Sequence, residues 1–315
     1  MNYLLSLSEA DSRSRAGGKG FGLHRLASWG IDVPPAYVVA SDAYRTAMSL
    51  APVADLVSRW ADAPEDRAAE AIKAVHDALL DVPLDAGLLD GIQQAWNELS
   101  STGSGECSLF CRSSATAEDS AAASFAGQFS TVMGVRTPDE MAQAVRTCWA
   151  SVWSPEAAAY RRRIVEELAG ISMAVVVQRA VRSDVSGVAF SINPVTGDPH
   201  EVLINSNWGL GETVVSGMVT PDTFVVDRSS MQLTVQDISQ DKTVQHVLNS
   251  DGTVESVQVD PMRAMSPSLT GEQAVQVAEL AIRIEELAGA PQDIEWTIED
   301  GRIFVLQTRP ITAAG

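Results

Sequence analysis

Asp293-Ile294-Glu295-Trp296-Thr297-Ile298-Glu299-Asp300-Gly301-Arg302-Ile303-Phe304-Val305-Leu306-Gln307-Thr308-Arg309 is two extended runs joined by an Asp-Gly turn. In the first run Asp293, Glu295 and Thr297 alternate with Ile294, Trp296 and Ile298, so the polar set takes one face and the apolar set the other. In the second run Gln307 and Arg309 share a face. Register then settles whether these groups meet. If the turn effectively holds three residues, Glu299 lies opposite Ile303, Glu295 faces Gln307 and Asp293 faces Arg309. With a two-residue turn the register slips by one and the groups part to opposite faces. In the first register the oxygen donors of Glu295 and Gln307 converge. That pair suits Mg2+, which keeps several waters and takes phosphate oxygens for its remaining positions. A cross-strand ion pair that binds nothing is the plainer alternative.

Upstream, the residues from 171 onward read as extended. Met173–Val177, Val185–Ile192, Glu201–Asn205 and Thr223–Val226 are rich in β-branched residues and separated by turn residues. Asp251-Gly252 predicts a hairpin between Val244–Leu248 and Val254–Val259. Thr270 and Gln273 cap a helix whose Val277, Leu280, Ala281, Ile284 and Leu287 form an apolar stripe, ended by Gly289 and Pro291. The earlier part is helical. Two or three helices are expected over 54–99, interrupted near Pro64 and Pro83, and Tyr37-Val38-Val39 reads as a short strand after Pro34-Pro35. Thr137-Pro138-Asp139-Glu140 opens a helix to about Val152, and Ser154-Pro155-Glu156 opens another carrying Arg161-Arg162-Arg163 on a solvated face. The expectation is an α+β chain of two lobes: residues 1–178, helix-rich with a glycine-rich phosphate loop, and residues 179–315, sheet-rich with the metal-binding hairpin.

The chain has 315 residues and a formal net charge of −19, with 45% hydrophobic and 20% charged residues. That composition supports a packed core, and the acidity argues against general binding to nucleic acid or to anionic membranes. Three cysteines, Cys107, Cys111 and Cys148, match no zinc or redox spacing, and Cys148 reads as a core thiol. No signal peptide is visible, and no apolar stretch approaches the ~20 residues that span a bilayer, so the expected location is the cytoplasm. Two further segments bear on phosphate. Ala16-Gly17-Gly18-Lys19-Gly20-Phe21-Gly22 lets backbone N–H groups approach an anion beside a mobile cation, although its spacing is neither a Walker nor a Rossmann pattern. Cys111-Arg112-Ser113-Ser114-Ala115-Thr116-Ala117-Glu118-Asp119, followed by Ser124-Phe125-Ala126-Gly127-Gln128-Phe129, reads as a phosphate-gripping loop or as a plain solvent loop.

In order along the chain, the glycine segment, the Arg112–Asp119 segment, Ser124–Gln128, Trp208-Gly209-Leu210-Gly211-Glu212 and the final hairpin through Pro310 resemble the ATP-binding domain of phosphoenolpyruvate synthase, pyruvate phosphate dikinase and rifampin phosphotransferase. The resemblance covers about residues 15–312. It implies an ATP-grasp fold whose two lobes hold the nucleotide in the cleft between them, with ATP and Mg2+ as ligands. It implies that Lys19 and Arg112 hold the phosphates, that Gly127 and Thr131 lie in the loop covering them, and that Gln178 contacts adenine. It further implies that Glu295 and Gln307 ligate Mg2+, that Arg309 lies beside the transferred phosphoryl group, and that Glu212 belongs to or braces the site. The catalytic set is then Lys19, Arg112 and Arg309.

The same resemblance implies a further domain whose histidine carries the phosphoryl group, in a Thr-Ser-His context. None of the four histidines, His24, His76, His200 and His246, has that context. The expected function is therefore ATP-dependent phosphotransfer to a histidine on a separate partner chain. Two other readings stay open: a stand-alone ATP-grasp kinase or ligase acting directly on a small-molecule acceptor, and an ATP-binding module without turnover.

Overall fold

Val175-Val176-Val177 is extended because β-branched side chains are stiff at χ1 and pack well across a pleated surface. A computed structural model describes residues 2–101, 107–116, 130–154 and 171–311. The chain divides into two units, Met1–His24 with Pro35–Ala180 and Arg25–Pro34 with Val181–Gly315. The boundary between them falls at 180/181, and a short early segment, 25–34, belongs with the second unit.

The first unit contains, in order, β1 (Leu4–Ser6), α1 (Arg13–Ser28, whose end from Arg25 belongs to the second unit), β2 (Ala36–Val39) and the helices α2 (Ser41–Ser49), α3 (Ala51–Ala61), α4 (Ala68–Leu80) and α5 (Ala86–Ser100). After these come β3 (Leu109–Ala115), β4 (Thr131–Val135), α6 (Pro138–Ser151) and β5 (Met173–Arg179). The antiparallel sheet has the order β1-β2-β5-β3-β4. One face belongs to the apolar core: Val39, Leu109, Cys111, Met173, Val175 and Val177 pack with Ala47, Val75, Ile92 and Cys148 from the helices. Burial pushes the Cys148 thiol up to about 12, as befits a core thiol, although the Lys19 charge works against the shift.

Thr137 Oγ1 accepts from the Glu140 N–H at 3.1 Å and caps α6 as expected. The Glu140 carboxylate returns to the Arg136 N–H at 2.7 Å, one residue before the reciprocal position of a capping box. The helix expected from Ser154-Pro155-Glu156, with its three arginines, lies outside the described residues. The main correction is β3. Residues 111–115, expected as part of a loop, belong to a strand over 109–115 that lies between β5 and β4. The reason is alternation among small residues: Leu109, Cys111, Ser113 and Ala115 share a buried face, yet none but Leu109 is bulky enough to stand out.

The second unit contains β6 (Val185–Phe190), β7 (Glu201–Trp208), α7 (Glu212–Val215), β8 (Asp222–Asp227), β9 (Gln232–Asp237), β10 (Val244–Leu248), β11 (Val254–Gln258), α8 (Pro261–Ala264), α9 (Gly271–Ala288), β12 (Gln292–Glu299) and β13 (Arg302–Pro310). Six strands form an antiparallel sheet, β13-β12-β6-β7-β8-β9, and β10 and β11 pair separately about the expected turn. Both halves of the Thr270–Gln273 capping box are present, and α9 packs on this sheet. Val277, Ala281 and Ile284 are buried, but Leu287 is exposed and falls outside the stripe. The chain is α+β, and among the described residues no helix is long and apolar enough to cross a membrane.

Candidate functional site

In the first unit the candidates lie on the sheet face opposite the helical core. Val38, Val176, Arg112 and Thr131 are direct cross-strand neighbours from β2 through β5 and β3 to β4, so they share one face. Gln178 lies two residues along β5 from Val176 and Ser114 two along β3 from Arg112, which puts both on that face.

The glycine segment of α1 lies against the same surface. Gly17 breaks the helix at φ 70°, ψ −178°, and a Cβ there would meet the Ser114 carbonyl oxygen at 2.1 Å, so the contact requires glycine. Ser114 Oγ donates to the Ala16 carbonyl at 2.8 Å and accepts from the Gly20 N–H at 3.1 Å. The helix that resumes after Gly17 thus has its capping oxygen supplied from β3, 94 residues away in sequence. Lys19 sits between the two bonded positions. The result is a half-buried Lys19 and Arg112 with hydroxyl groups, a donor set suited to an anion. Gln178 is 4% exposed, and among the described residues its Nε2 has no hydrogen-bond partner. Gly127, with Ala117–Asp119 and Ser124–Gln128, lies outside the described residues.

In the second unit the hairpin reaches the expected pairing by another route. Asp300 and Gly301, at φ 49° and 78°, make a two-residue turn of type I′, with Glu299 opposite Arg302. Continued regularly, that register would place Leu306 opposite Glu295. Instead the ladder shifts between Glu295 and Trp296: Trp296 pairs with Val305 and Glu295 with Gln307, leaving Leu306 as an extra bulged residue. The three-residue turn is therefore wrong, and a bulge inside β13 provides the missing residue. Asp293 faces Arg309, with Oδ2 accepting from Nε at 2.7 Å and paired to Nη2 at 2.6 Å. Burial raises the Asp293 pKa, Arg309 opposes the rise, and the Glu295 charge adds to it.

The row containing Gln307 and Glu295 continues through Val188 and Asn205 to Thr223, and Asn205 donates to Thr223 Oγ1 at 2.9 Å. Sequence reading had passed over Asn205 and Thr223, and only the sheet register brings them into this row. Glu212 begins α7 and is paired through Oε2 with His246 Nδ1 at 3.0 Å. The turn before it rests on β10: Leu210 N–H donates to the His246 carbonyl at 2.8 Å. Deeper in this unit Lys242 and Asp222 form a fully buried ion pair, and Asp222 also accepts from the Ser268 N–H, Ser268 Oγ and the Ser239 N–H. Nothing in the local sequence marks that pair. Arg112, Thr131 and Gln178 thus share one sheet face in the first unit, with the helical segment of Lys19 against it, and Glu295, Gln307 and Arg309 share one in the second.

The first unit thus carries cationic and hydroxyl side chains, and the second a carboxylate-amide pair. Residues 13–315 match the family described as pyruvate phosphate dikinase, AMP/ATP-binding domain. The chain belongs to this AMP/ATP-binding domain family. Among curated relatives, prodigiosin synthesizing transferase PigC of Serratia marcescens is 39% identical over 95% of this chain and 32% of its own length. Rifampicin phosphotransferase of Streptomyces sviceus is 37% identical over 98% of this chain and 36% of its own. Phosphoenolpyruvate synthase of Pyrococcus furiosus is 33% identical over 94% of this chain and 42% of its own. The chain spans roughly a third to two fifths of the length of these relatives.

The donor set fits the ligands this domain family implies. Mg2+ prefers oxygen, and Glu295 with Gln307 offers a carboxylate and an amide carbonyl. Among the described residues no group of three or more His, Cys, Asp or Glu could hold a metal. The pair therefore suits an ion that takes its remaining ligands from phosphate and water rather than from a closed protein cage.

Proposed function

We propose that this segment is the ATP-handling part of an ATP-dependent phosphotransferase, an ATP-grasp site that binds Mg·ATP and passes a phosphoryl group to a histidine on a separate polypeptide. The observation that carries the reading is the β12/β13 register, which sets Glu295 against Gln307 and Asp293 against Arg309. In this reading Lys19 and Arg112 grip the phosphate oxygens, Thr131 covers them, and the Gln178 amide, unpartnered among the described residues, takes an acceptor on the adenine. Glu295 and Gln307 would hold Mg2+, which neutralises phosphate charge when bound. Arg309, oriented by Asp293, supplies the cation at the transferred group. Phosphoryl transfer asks mainly for positioning and charge neutralisation, and these side chains offer both.

Three relatives with different named activities share this segment, which supports placing the choice of acceptor elsewhere. Phosphorus NMR of the nucleotide products tests the reading. AMP and phosphate, formed with an acid-labile phosphohistidine on an added partner, support it. ADP formed with a small amine or carboxylate and no second chain would replace it with the stand-alone kinase or ligase, and nucleotide bound without turnover would leave a binding module.

A further inference from the structure

We infer that His246 is a positioning residue for Glu212, fixing the carboxylate that faces the nucleotide. This inference rests on the nucleotide site proposed above and takes Glu212 as a member of it, the first of the two roles, belonging to the site or bracing it, that the resemblance implies. One residue of β10 holds the Gly209–Glu212 turn by both backbone and side chain. The His246 carbonyl accepts from Leu210 N–H at 2.8 Å, and a Cβ on Gly209, which sits at φ +74°, would approach that carbonyl oxygen to 2.3 Å. The His246 ring then reaches Glu212 Oε2 through Nδ1 at 3.0 Å. Nδ1 lies on Glu212, so the ring donates there in its Nδ1–H tautomer or as the cation.

The two partners differ in exposure. The His246 side chain is 13% exposed and that of Glu212 45%. The imidazole is a packed support, and the carboxylate is the accessible end. Among the described residues Glu212 Oε1 has no hydrogen-bond partner, so one oxygen is anchored and the other is presented. A carboxylate held in this way suits a hydroxyl donor such as a ribose, because its rotamer is selected before the ligand arrives.

The support is itself anchored. Asn207 Nδ2 donates to the Val244 carbonyl at 3.1 Å, tying the start of β10 to the end of β7. The buried Lys242–Asp222 pair fixes the chain just before β10 to the start of β8. Displacement of β10 would thus strain contacts at three places. Loss of the imidazole alone leaves the backbone contacts in place and frees only the carboxylate.

Calorimetric titration with Mg·ATP tests this in four variants whose melting temperatures are measured alongside. Glu212→Ala is expected to weaken binding about tenfold or more, the range for a lost hydrogen bond to a charged group. His246→Leu is expected to do nearly the same. His246→Asn, whose amide can replace the Nδ1–H donor, is expected to restore affinity to within about twofold. His246→Leu in the Glu212→Ala background is expected to add nothing further. A normal Kd in His246→Leu alongside a weakened Glu212→Ala overturns the positioning role while the nucleotide reading stands. Equal losses in His246→Leu and His246→Asn overturn it as well, because a packing defect would not be rescued by the amide. A normal Kd in Glu212→Ala overturns the nucleotide reading of Glu212 and the inference with it.

Discussion

Ser114→Ala is the substitution that most directly tests how the glycine segment is held. Ser114 is fully buried, and its hydroxyl makes two bonds to α1, one to the Ala16 carbonyl and one from the Gly20 N–H. Losing a capping acceptor costs about 1 kcal/mol. Leaving the buried Ala16 carbonyl without that donor costs about 1–2 kcal/mol more. The expected loss is therefore about 2–3 kcal/mol, and at about 2–4 °C per kcal/mol for a unit of this size the melting temperature falls by about 4–12 °C. Gly17→Ala is expected to cost at least as much. Its Cβ would press on the Ser114 backbone at 2.1 Å, and alanine disfavours a φ of +70°. Calorimetric melting with and without Mg·ATP reads both effects. The variant protein should also bind Mg·ATP more weakly, because Lys19 lies between the two bonded positions. A Ser114→Ala protein within about 0.5 kcal/mol of the parent, with unchanged affinity, would refute the idea that β3 holds this segment in place.

Lys19→Ala and Arg112→Ala are each expected to abolish turnover, and Glu295→Ala to weaken Mg2+-dependent nucleotide binding, all read by product analysis and titration; unchanged behaviour in all three contradicts the site. Asp293 gives a pH signature. Its folded pKa is raised above the ordinary 3.8, so the stability it contributes is full below that value and is lost as pH rises through the folded pKa. Asp293→Asn should remove that slope, so its stability relative to the parent improves as pH climbs from below 3.8, measured by urea unfolding across the acid range; parallel curves would exclude burial as the dominant cause. Lys242→Met strands Asp222 in the core and should cost about 3–5 kcal/mol in the same assay. A cost below about 1 kcal/mol would show that the serine hydrogen bonds to Asp222 suffice.

The parts of this molecule that could be read in the sequence are those governed by local periodicity. Strict alternation over Asp293–Ile298 assigns faces correctly because successive side chains in a strand point opposite ways whatever the neighbours do. The capping box at Thr270 and the turn at Asp300-Gly301 are likewise local chemistry. Partners are a different matter. Glu295 meets Gln307 only because Leu306 bulges, and an isolated leucine in an apolar strand carries no mark of a bulge. β3 was missed because its buried face is made of cysteine, serine and alanine, whose alternation carries little hydrophobic contrast. The membership of residues 25–34 in the second unit depends on contacts such as Val305 N–H to the Asp32 carbonyl at 2.9 Å and Arg302 to Asp32 at 3.0 Å, some 270 positions apart.

This division has a consequence for the site itself. Of the side chains proposed to touch nucleotide, Glu295, Gln307 and Arg309 are polar residues at alternating positions of strands, and period-two reading finds them, whereas the roles of Lys19, Arg112, Thr131 and Gln178 come from the family resemblance. The residues that set their geometry, Ser114, Leu306, Asp293 and His246, act across strands or between distant segments, and each makes its decisive contact through register or a long-range bond. A substitution that preserves a chemical group but shifts register by one residue should therefore damage the site more than a conservative change in the group itself. An extra glycine after Gly301 is the direct case. If the turn stays two residues long and the one-residue bulge is kept, the added residue puts Leu306 rather than Gln307 opposite Glu295 and turns Gln307 and Arg309 to the other face. If the turn instead takes up the glycine as a third residue and the bulge is kept, the original pairing returns and binding survives. Titration with Mg·ATP separates the two, and survival would mean that the turn, not the strand register, takes up the extra residue.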